Sequence, residues 1–254
     1  MYTRIHLYSI YKLSYLQGVE HEMSIKMSIT PARNLGEQAY ERIRESIISL
    51  ELTPGQIVQE NELAMTLGIS RTPVREAFHL LITEQLIEVL PQRTKKIANI
   101  SVSKVLESSV VRLSLERTAF QLAAMQWRAS NDHVKVEKQL EKLLNKQKEA
   151  AELQNTAQFL RLDELFHKEI MRLAGNRTLL EVVHQMRGHL NRFRFLAMKE
   201  LVLTKGLVRE HEEIFACLRS RDERGLVQLL ESHLEKIKEE IPSLREKFDH
   251  YFQD

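Results

Sequence analysis

The stretch from Glu60 to Lys96 limits the fold most strongly, because it sets short apolar segments beside residues that end and begin helices. Gly68 follows one apolar segment, and glycine tolerates the left-handed backbone at which many helices end. Ser70 can then cap a second helix. Pro73 falls in the first turn of that helix, where a missing N–H costs nothing. The pattern predicts a helix-turn-helix.

Basic and polar residues occupy the start of the second of these helices. Arg71, Thr72 and Arg75 directly follow the capping serine. In helix-turn-helix proteins this end of the recognition helix points at base edges and phosphates in the major groove. We therefore predict that this end contacts double-stranded DNA. The full predicted set of DNA-contacting residues is Ser70, Arg71, Thr72, Arg75, Arg93, Lys95 and Lys96.

The segments around this stretch complete a small domain. Apolar residues between Leu35 and Leu50 recur at helical spacing. Helices are predicted over 35–50, 58–67 and 71–84, and strands over 87–90 and 96–100, with a polar turn between the strands. Three helices followed by a two-stranded hairpin form a winged helix-turn-helix, which we place at residues 31–100.

Composition limits the remaining possibilities. The chain has 254 residues, of which 43% are hydrophobic and 28% charged, with a net charge of +2. These values are typical of a soluble protein with room for two domains. Acidic residues slightly outnumber basic ones between residues 31 and 100, so the DNA hypothesis rests on where the charges lie. Cys217 is the single cysteine, which excludes a cysteine-based zinc finger. No apolar run approaches a membrane span, and we expect a cytoplasmic protein.

Residues 1–30 form an apolar and aromatic extension before the predicted domain. They lack the clean apolar core and small-residue cleavage site of a signal peptide. We expect a disordered extension or a mis-assigned start, since Met23 and Met27 offer later starting points. A short amphipathic anchor is the alternative.

From residue 101 to residue 254 the sequence predicts helices only, with no strand alternation. The expected helices are 102–128, 131–154, 156–174, 177–199, 203–219 and 222–250, with breaks at Ser130–Asn131 and at Gly175–Asn176, among others. Pro242 should kink or split the last helix. Apolar residues cover more than one face of several helices, which indicates an antiparallel helical bundle that also packs against a partner chain.

Asp163 and His167 lie four residues apart in one predicted helix, so both side chains can reach one point. An oxygen and a nitrogen ligand at this spacing suit a divalent metal. His211 and His233 lie on two other predicted helices among apolar neighbours, so all four residues can converge inside a bundle. Separate core histidines with their own hydrogen-bond partners are the alternative that the spacing leaves open.

These motifs together resemble a known family. The run from Leu67 to Ala77 resembles the signature of GntR-type bacterial transcription regulators. The second half is similar to the FCD effector domain of their FadR subgroup: Arg112 to Glu116 resembles the Arg-x-x-Leu-Glu stretch, and Asp163 to His167 the Asp-x-x-Phe-His motif. His211 and His233 stand where the remaining ligands of that family lie.

The resemblance implies a homodimer that binds a palindromic operator. It also supports a metal held by Asp163, His167, His211 and His233. A ligand set of histidine and aspartate suits zinc, nickel or manganese, of which we favour zinc. A small carboxylate effector would complete the metal shell, and Arg112 would hold it. Arg112 could instead pair with Glu116 four residues on. Arg192 and Arg194 are further candidates for the pocket.

Three positions depart from the family pattern. Gln85 replaces the usual glycine after the recognition helix, and Gln92-Arg93-Thr94 replaces a glycine-containing wing tip. Asn61 stands where several relatives have arginine. The operator sequence therefore cannot be carried over from the family.

The sequence favours a ligand-responsive transcription regulator, a repressor of a catabolic operon, and not an enzyme. A DNA-binding architectural protein without an effector is one alternative. A metal-dependent enzyme is another, but it needs a general base near the metal. Glu164 and Glu169 are the candidates, and the helix turns both to other faces.

Overall fold

The computed structural model describes residues 34–127 and 131–254, so the predicted extension at residues 1–30 lies outside the described residues, as does Ser130 at the predicted break before Asn131. The described part of the chain forms one compact unit. No helix in the described ranges combines the length and the apolar character needed to cross a membrane.

The first part of the unit is a winged helix-turn-helix. Its elements are α1 (Leu35–Ile48), β1 (Ile57–Val58), α2 (Glu60–Leu67), α3 (Arg71–Thr83), β2 (Ile87–Val89) and β3 (Lys95–Ile97). Gly68 ends α2 with a φ of 66°, as the sequence predicts, because glycine has no Cβ to oppose that conformation. Ser70 occupies the N-cap position of α3, but its side chain makes no capping hydrogen bond.

The wing contains one strand more than the predicted hairpin. β1 pairs antiparallel with β3, with Val58 opposite Lys95, so the order of strands is β1-β3-β2. The prediction that Val58 begins a helix is therefore wrong. Two residues are too few to show an alternating pattern, and the strand exists because β3 supplies its hydrogen bonds.

The predicted strand over 96–100 is also divided. β3 ends at Ile97, and Ile100 begins β4 (Ile100–Ser101), which pairs in parallel with β5 (Phe252–Gln253). The expectation of helices alone after residue 101 is thus wrong at the last strand. Asp254 reinforces the contact, because its carboxylate accepts a hydrogen bond from the Ser101 hydroxyl at 3.0 Å and from the Val102 amide at 2.9 Å.

The second part of the unit is a helical bundle. Its helices are α4 (Val102–Gln126), α5 (Asn131–Glu152), α6 (Thr156–Leu173), α7 (Arg177–Gln185), α8 (Arg187–Glu200), α9 (Thr204–Ser220), α10 (Glu223–Glu235) and α11 (Ile237–Phe248). Gly175, with a φ of 67°, separates α6 from α7, and the Asp222 carboxylate caps α10, as the sequence predicts.

Two predicted helices are each divided. The helix expected over 177–199 breaks at Met186, which separates α7 from α8. The helix expected over 222–250 breaks at Lys236, and Pro242 lies inside α11. The Lys236 carbonyl accepts hydrogen bonds from the amides of both Glu239 and Glu240, so α11 begins there rather than at the proline.

Helix α8 lies between the two parts of the unit. Its residues from Arg187 to Met198 are all buried. It packs against α4 and α6 of the bundle and against α1 of the winged domain. Gly188 permits this approach, because a Cβ at this position would lie 3.2 Å from the Leu86 side chain.

Candidate metal centre

Four side chains from three helices meet inside the bundle. Asp163 and His167 come from α6, one turn apart, while His211 comes from α9 and His233 from α10. Each offers one ligand atom, and these atoms lie within 4.8 Å of one another. The structure thus brings together all four residues that the sequence predicted as metal ligands.

Two distances between inner atoms of the cluster fit the spacing of ligands on one ion. The Nε2 atoms of His167 and His211 lie 3.3 Å apart, and His211 Nε2 lies 3.5 Å from Asp163 Oδ1. Two nitrogen ligands, each about 2.0–2.1 Å from a zinc ion, stand about 3.4 Å apart in tetrahedral geometry. The observed spacing therefore matches a shared cation.

Each histidine is oriented by a hydrogen bond at its other nitrogen. His167 Nδ1 lies 2.7 Å from Glu116 Oε2, His211 Nδ1 lies 2.8 Å from Gln147 Oε1, and His233 Nδ1 lies 2.6 Å from Glu210 Oε2. These oxygens accept, so Nδ1 carries the proton and the Nε2 lone pair faces the cluster. Outer partners of this kind fix the tautomer of metal-binding histidines.

Asp163 provides the clearest test of whether a cation fits. Its Oδ2 accepts a hydrogen bond from Arg194 Nη2 at 2.7 Å, whereas Oδ1 is buried without a hydrogen-bond partner. An unpaired carboxylate oxygen is costly in a fully buried position. A cation among the three Nε2 atoms would satisfy it, so the residues present fit a metal ion.

The charge states also suit metal binding. Burial lowers the pKa of His167 to about 4, and burial together with His233 places the pKa of His211 well below its ordinary value. Burial is the largest single influence on the pKa of Asp163 and opposes ionisation, but the charges around the carboxyl, Arg194 first among them, together hold its pKa well below its usual range. At neutral pH these two imidazoles are neutral and the carboxylate is charged, which is the state that binds cations.

Arg112 makes the alternative pairing considered from the sequence, and it also borders a cavity. Its Nε donates to Glu116 Oε1 at 2.7 Å, which is the predicted alternative pairing within α4. Its side chain also lines a cavity of about 40 Å³ together with Arg194, His233 and Glu240. Burial raises the pKa of Glu240, so that acid is more readily protonated than usual.

The other candidate residues lie away from the cluster. Arg192 turns from the cavity and donates to the backbone carbonyls of Ala98 and Asn99. The Glu164 carboxylate accepts from Asn191, and Glu169 pairs with Arg172. Neither glutamate is among the four clustered ligand residues.

Two functional side chains were missed by sequence reasoning or seen only in part. Glu116 was noted as a possible partner of Arg112, but it also holds His167. Gln147, which orients His211, lies in a polar stretch of α5 with no distinguishing signal. Only the packing of α5 against α6 and α9 places it there.

The predicted DNA-contacting residues lie at the start of α3 and on the wing. Ser70, Arg71, Thr72 and Arg75 are exposed at the start of α3, and Arg93 is exposed at the wing tip. Lys95 and Lys96 lie on β3, where Lys95 Nζ is 2.9 Å from Glu60 Oε1 and Lys96 Nζ is 3.0 Å from Glu88 Oε2.

The departures from the family pattern keep a glycine-like backbone. Gln85 has a φ of 59°, and Gln92 and Arg93 each have a φ of 62°. This left-handed region costs a residue with a side chain about 1–2 kcal/mol. Gln85, Gln92 and Arg93 therefore stand at positions whose backbone conformation glycine adopts more readily.

Comparison with known proteins gives the family. The model described as "Bacterial regulatory proteins, gntR family" matches residues 35–97, and the FCD domain model matches residues 107–236. The HTH-type transcriptional repressor RspR of Escherichia coli (strain K12) is 27% identical over 232 residues, covering 91% of this chain and all of that protein. The gluconate operon transcriptional repressor of Bacillus subtilis (strain 168) is 25% identical over 211 residues, covering 81% of this chain and 84% of that protein.

A solved structure agrees with the fold. E. coli McbR/YncC superposes with a TM-score of 0.69 at 22% identity, covering 85% of this chain and 99% of that one. The fold has a winged helix-turn-helix followed by a helical bundle, and the two family models match these two parts. The chain belongs to the GntR family of bacterial regulatory proteins, with an FCD effector domain, and is a ligand-responsive, DNA-binding transcription regulator.

Proposed function

We propose that this regulator senses a small organic acid at a divalent metal held by Asp163, His167, His211 and His233. The unpaired, buried Asp163 Oδ1 beside three inward-facing Nε2 atoms is the observation that carries this proposal. A bound divalent ion supplies a fixed positive charge with coordination positions open to an anionic ligand. Zinc suits a set of histidine and carboxylate ligands, and nickel or manganese are the alternatives.

The cavity beside the cluster favours a small carboxylate as the effector. Arg194 Nη1 is buried without a hydrogen-bond partner, and Arg112 and His233 line the same cavity. Guanidinium groups bind carboxylates through paired hydrogen bonds. A volume of about 40 Å³ holds roughly three water-sized groups, which suits a carboxylate on a short chain.

Helix α8 can transmit a change in this pocket to the winged domain, because it contacts both. On the bundle side, Arg194 donates to Asp163, and Arg187 Nη2 donates to Glu116 Oε1 at 3.2 Å. Glu116 in turn holds His167. A ligand that recruits Arg194 or changes the cluster therefore acts on α8 directly.

The same helix holds the winged domain on its other side. Arg192 donates to the carbonyls of Ala98 at 2.5 Å and Asn99 at 3.2 Å, and His189 Nε2 donates to the carbonyl of Gln85 at 3.1 Å. Gln85 lies two residues after Thr83, the last residue of the recognition helix α3. Ligand binding that shifts α8 would change the placement of α3 and thereby the affinity for DNA.

We propose that the winged domain spans residues 31–100 and the effector domain residues 101–254. We also propose that one set of residues in the winged domain contacts the operator: Ser70, Arg71, Thr72, Arg75, Arg93, Lys95 and Lys96. Val110 and Val111 are exposed on α4, by 57% and 37%, which supports a homodimer. A dimer would bind a palindromic operator with half-sites about 34 Å apart.

We further infer a repressor that works in the cytoplasm, where bacterial DNA lies. Both curated relatives are named repressors, and one is named for the gluconate operon. Gluconate is a hydroxy acid, which agrees with the proposed class of effector.

Metal analysis and ligand screening test the proposal together. We expect about one divalent ion per chain, and a small carboxylic acid that raises the melting temperature only when the metal is bound. The same acid should change the affinity for the upstream DNA of the regulator's own operon, measured by fluorescence anisotropy. Metal-loaded protein whose DNA affinity responds to none of a broad panel of hydroxy acids, dicarboxylates and sugar acids would contradict the sensor.

A further inference from the structure

Glu60 connects the recognition helix to the wing. It is the first residue of α2, and its side chain is only 12% exposed. Its Oε2 accepts a hydrogen bond from Arg71 Nη2 at 3.4 Å, and its Oε1 accepts from Lys95 Nζ at 2.9 Å. One carboxylate therefore holds a cation from α3 and a cation from β3.

Lys95 is held from a second direction as well. Its Nζ lies 5.6 Å from the centre of the Phe78 ring, and Phe78 is buried on α3. The hydrogen bond from Lys95 is the chief reason that the pKa of Glu60 is lowered, so the carboxylate is charged at neutral pH. The lysine is thus placed by an acid on α2 and an aromatic ring on α3.

Lys96 and Arg75, two of the other predicted DNA-contacting cations, differ in this respect. Lys96 pairs with Glu88 within the sheet, which connects β3 only to β2. Arg75 makes no hydrogen bond or ion pair within residues 34–127 and 131–254. Glu60 therefore differs from Glu88. Glu88 pairs with a cation of the neighbouring strand, whereas Glu60 pairs with one cation from α3 and one from β3.

An acid on a DNA-binding surface has an electrostatic cost, because it repels phosphates. A benefit must offset that cost if the acid serves DNA binding. Long side chains lose conformational freedom when DNA immobilises them, and a side chain that is already oriented loses less. Arg71 can keep its contact with Glu60 and still present other N–H groups, because a guanidinium has five donors.

We propose that Glu60 is a positioning residue for operator recognition: it orients Arg71 and Lys95 toward DNA without contacting DNA itself. This inference rests on the proposed DNA-contacting roles of those two residues. Positioning should strengthen binding to the operator more than binding to other DNA, because only the operator has groups that match the fixed direction of the two side chains.

Replacing Glu60 by its neutral isostere tests the inference. The probes are a duplex selected from a random-sequence pool on the wild-type full-length protein and a shuffled duplex of equal composition. Glu60→Gln should weaken binding to the selected duplex by about two- to tenfold, the effect of losing pre-orientation of one or two side chains. Binding to the shuffled duplex should stay unchanged or become tighter, because a negative charge has been removed.

Glu62→Gln is the matched control, since Glu62 lies in the same first turn of α2 and is exposed. It should leave unchanged, or slightly tighten, binding to both duplexes. Combining Glu60→Gln with Arg71→Ala or Lys95→Ala should cost less than the sum of the single effects, because the interaction is already lost.

Two outcomes would overturn the inference in distinguishable ways. If Arg71→Ala and Lys95→Ala leave binding to the selected duplex unchanged, the proposed DNA contacts are wrong and the inference fails with them. If both weaken binding while Glu60→Gln behaves like Glu62→Gln, the contacts stand and only the positioning role fails. Melting curves of each variant show whether a loss of binding reflects unfolding.

Discussion

The proposed metal centre and the proposed DNA-contacting surface are both sets of polar side chains, but their surroundings differ. At the metal centre every histidine Nδ1 has a hydrogen-bond partner, and all four ligand residues are buried. On the DNA-contacting surface Ser70, Arg71 and Arg75 are exposed, and Arg75 is unpaired within the described residues. Where water is excluded, the protein itself must orient polar groups, so a single change should affect both binding and stability. Where water has access, a change should affect DNA binding alone.

The largest expected effect concerns a metal ligand. His211→Ala should lower metal affinity by more than the roughly 10–100-fold that loss of an outer partner costs. Metal analysis and competition with a chelator measure this, and the melting temperature of the variant should no longer respond to chelation. His250→Ala, at an exposed histidine near the end of the chain, is the control. Full metal content in His211→Ala would show that the cluster is not the metal site.

The second prediction concerns the contact between the two parts of the unit. Arg192→Met keeps the apolar stem but leaves the carbonyls of Ala98 and Asn99 without their donor. We expect the variant to retain its metal and to lose the effector response of DNA binding, a coupling of typically about 1–3 kcal/mol. Arg224→Met, at an exposed position of α10, is the control. An undiminished response in Arg192→Met would place the coupling outside α8.

Arg75→Ala should weaken operator binding and leave the melting temperature unchanged, unlike a change at the metal centre. The loss of a base contact costs about 1–3 kcal/mol of operator affinity, whereas loss of a phosphate contact also reduces the salt dependence of binding. Anisotropy titrations at several salt concentrations separate these cases. Because the side chain is exposed and unpaired in the described structure, the melting temperature should not change. A large fall in melting temperature would contradict the contrast between the two sites.

The fourth prediction follows from the protonation of His189. Burial, followed by the charges of Arg192 and Lys104, lowers the pKa of His189 to about 3, with Asp254 opposing the shift. The unfolded histidine has a pKa near 6.5. Between these values the unfolded state binds more protons, so the stability from neutral His189 is present above about pH 6.5 and is lost as pH falls toward 3.

Replacing His189 by glutamine should therefore flatten the pH dependence of stability. The slope should decrease below pH 6.5 by up to about 1.4 kcal/mol per pH unit. Denaturant titrations at pH 7.5, 6.5 and 5.5 measure it, and His250→Gln is the control. An unchanged slope would mean that folding does not lower the pKa of His189.

The smallest effect is expected at the wing tip. Gln92 has a φ of 62°, which glycine adopts more readily, whereas glycine also makes the unfolded chain more flexible. Gln92→Gly should therefore raise the free energy of unfolding by less than about 1 kcal/mol. Gln59→Gly, at a residue with a φ of −122°, should lower it. Destabilisation by Gln92→Gly would show that the side chain itself supports the wing.

The sequence was sufficient wherever the signal was local. Gly68, Asp222 and the spacing of Asp163 and His167 each act within one turn of helix, and each lies where the sequence predicts. Both domain types were also predicted, because their motifs are compact and their helices are strongly periodic. The two-residue strands were not, since β1 and β5 have no pattern of their own and depend on β3 and β4 for hydrogen bonds.

What the sequence determined by itself is the class of protein, a winged helix-turn-helix followed by a helical bundle, with four candidate ligands on three helices. Only the tertiary structure decided that their ligand atoms lie within 4.8 Å of one another, that Gln147 orients His211, and that Arg192 turns away from the cavity beside Arg194. The reason is physical: helical periodicity fixes the face on which a residue lies, whereas the distance between helices depends on the packing of every side chain between them.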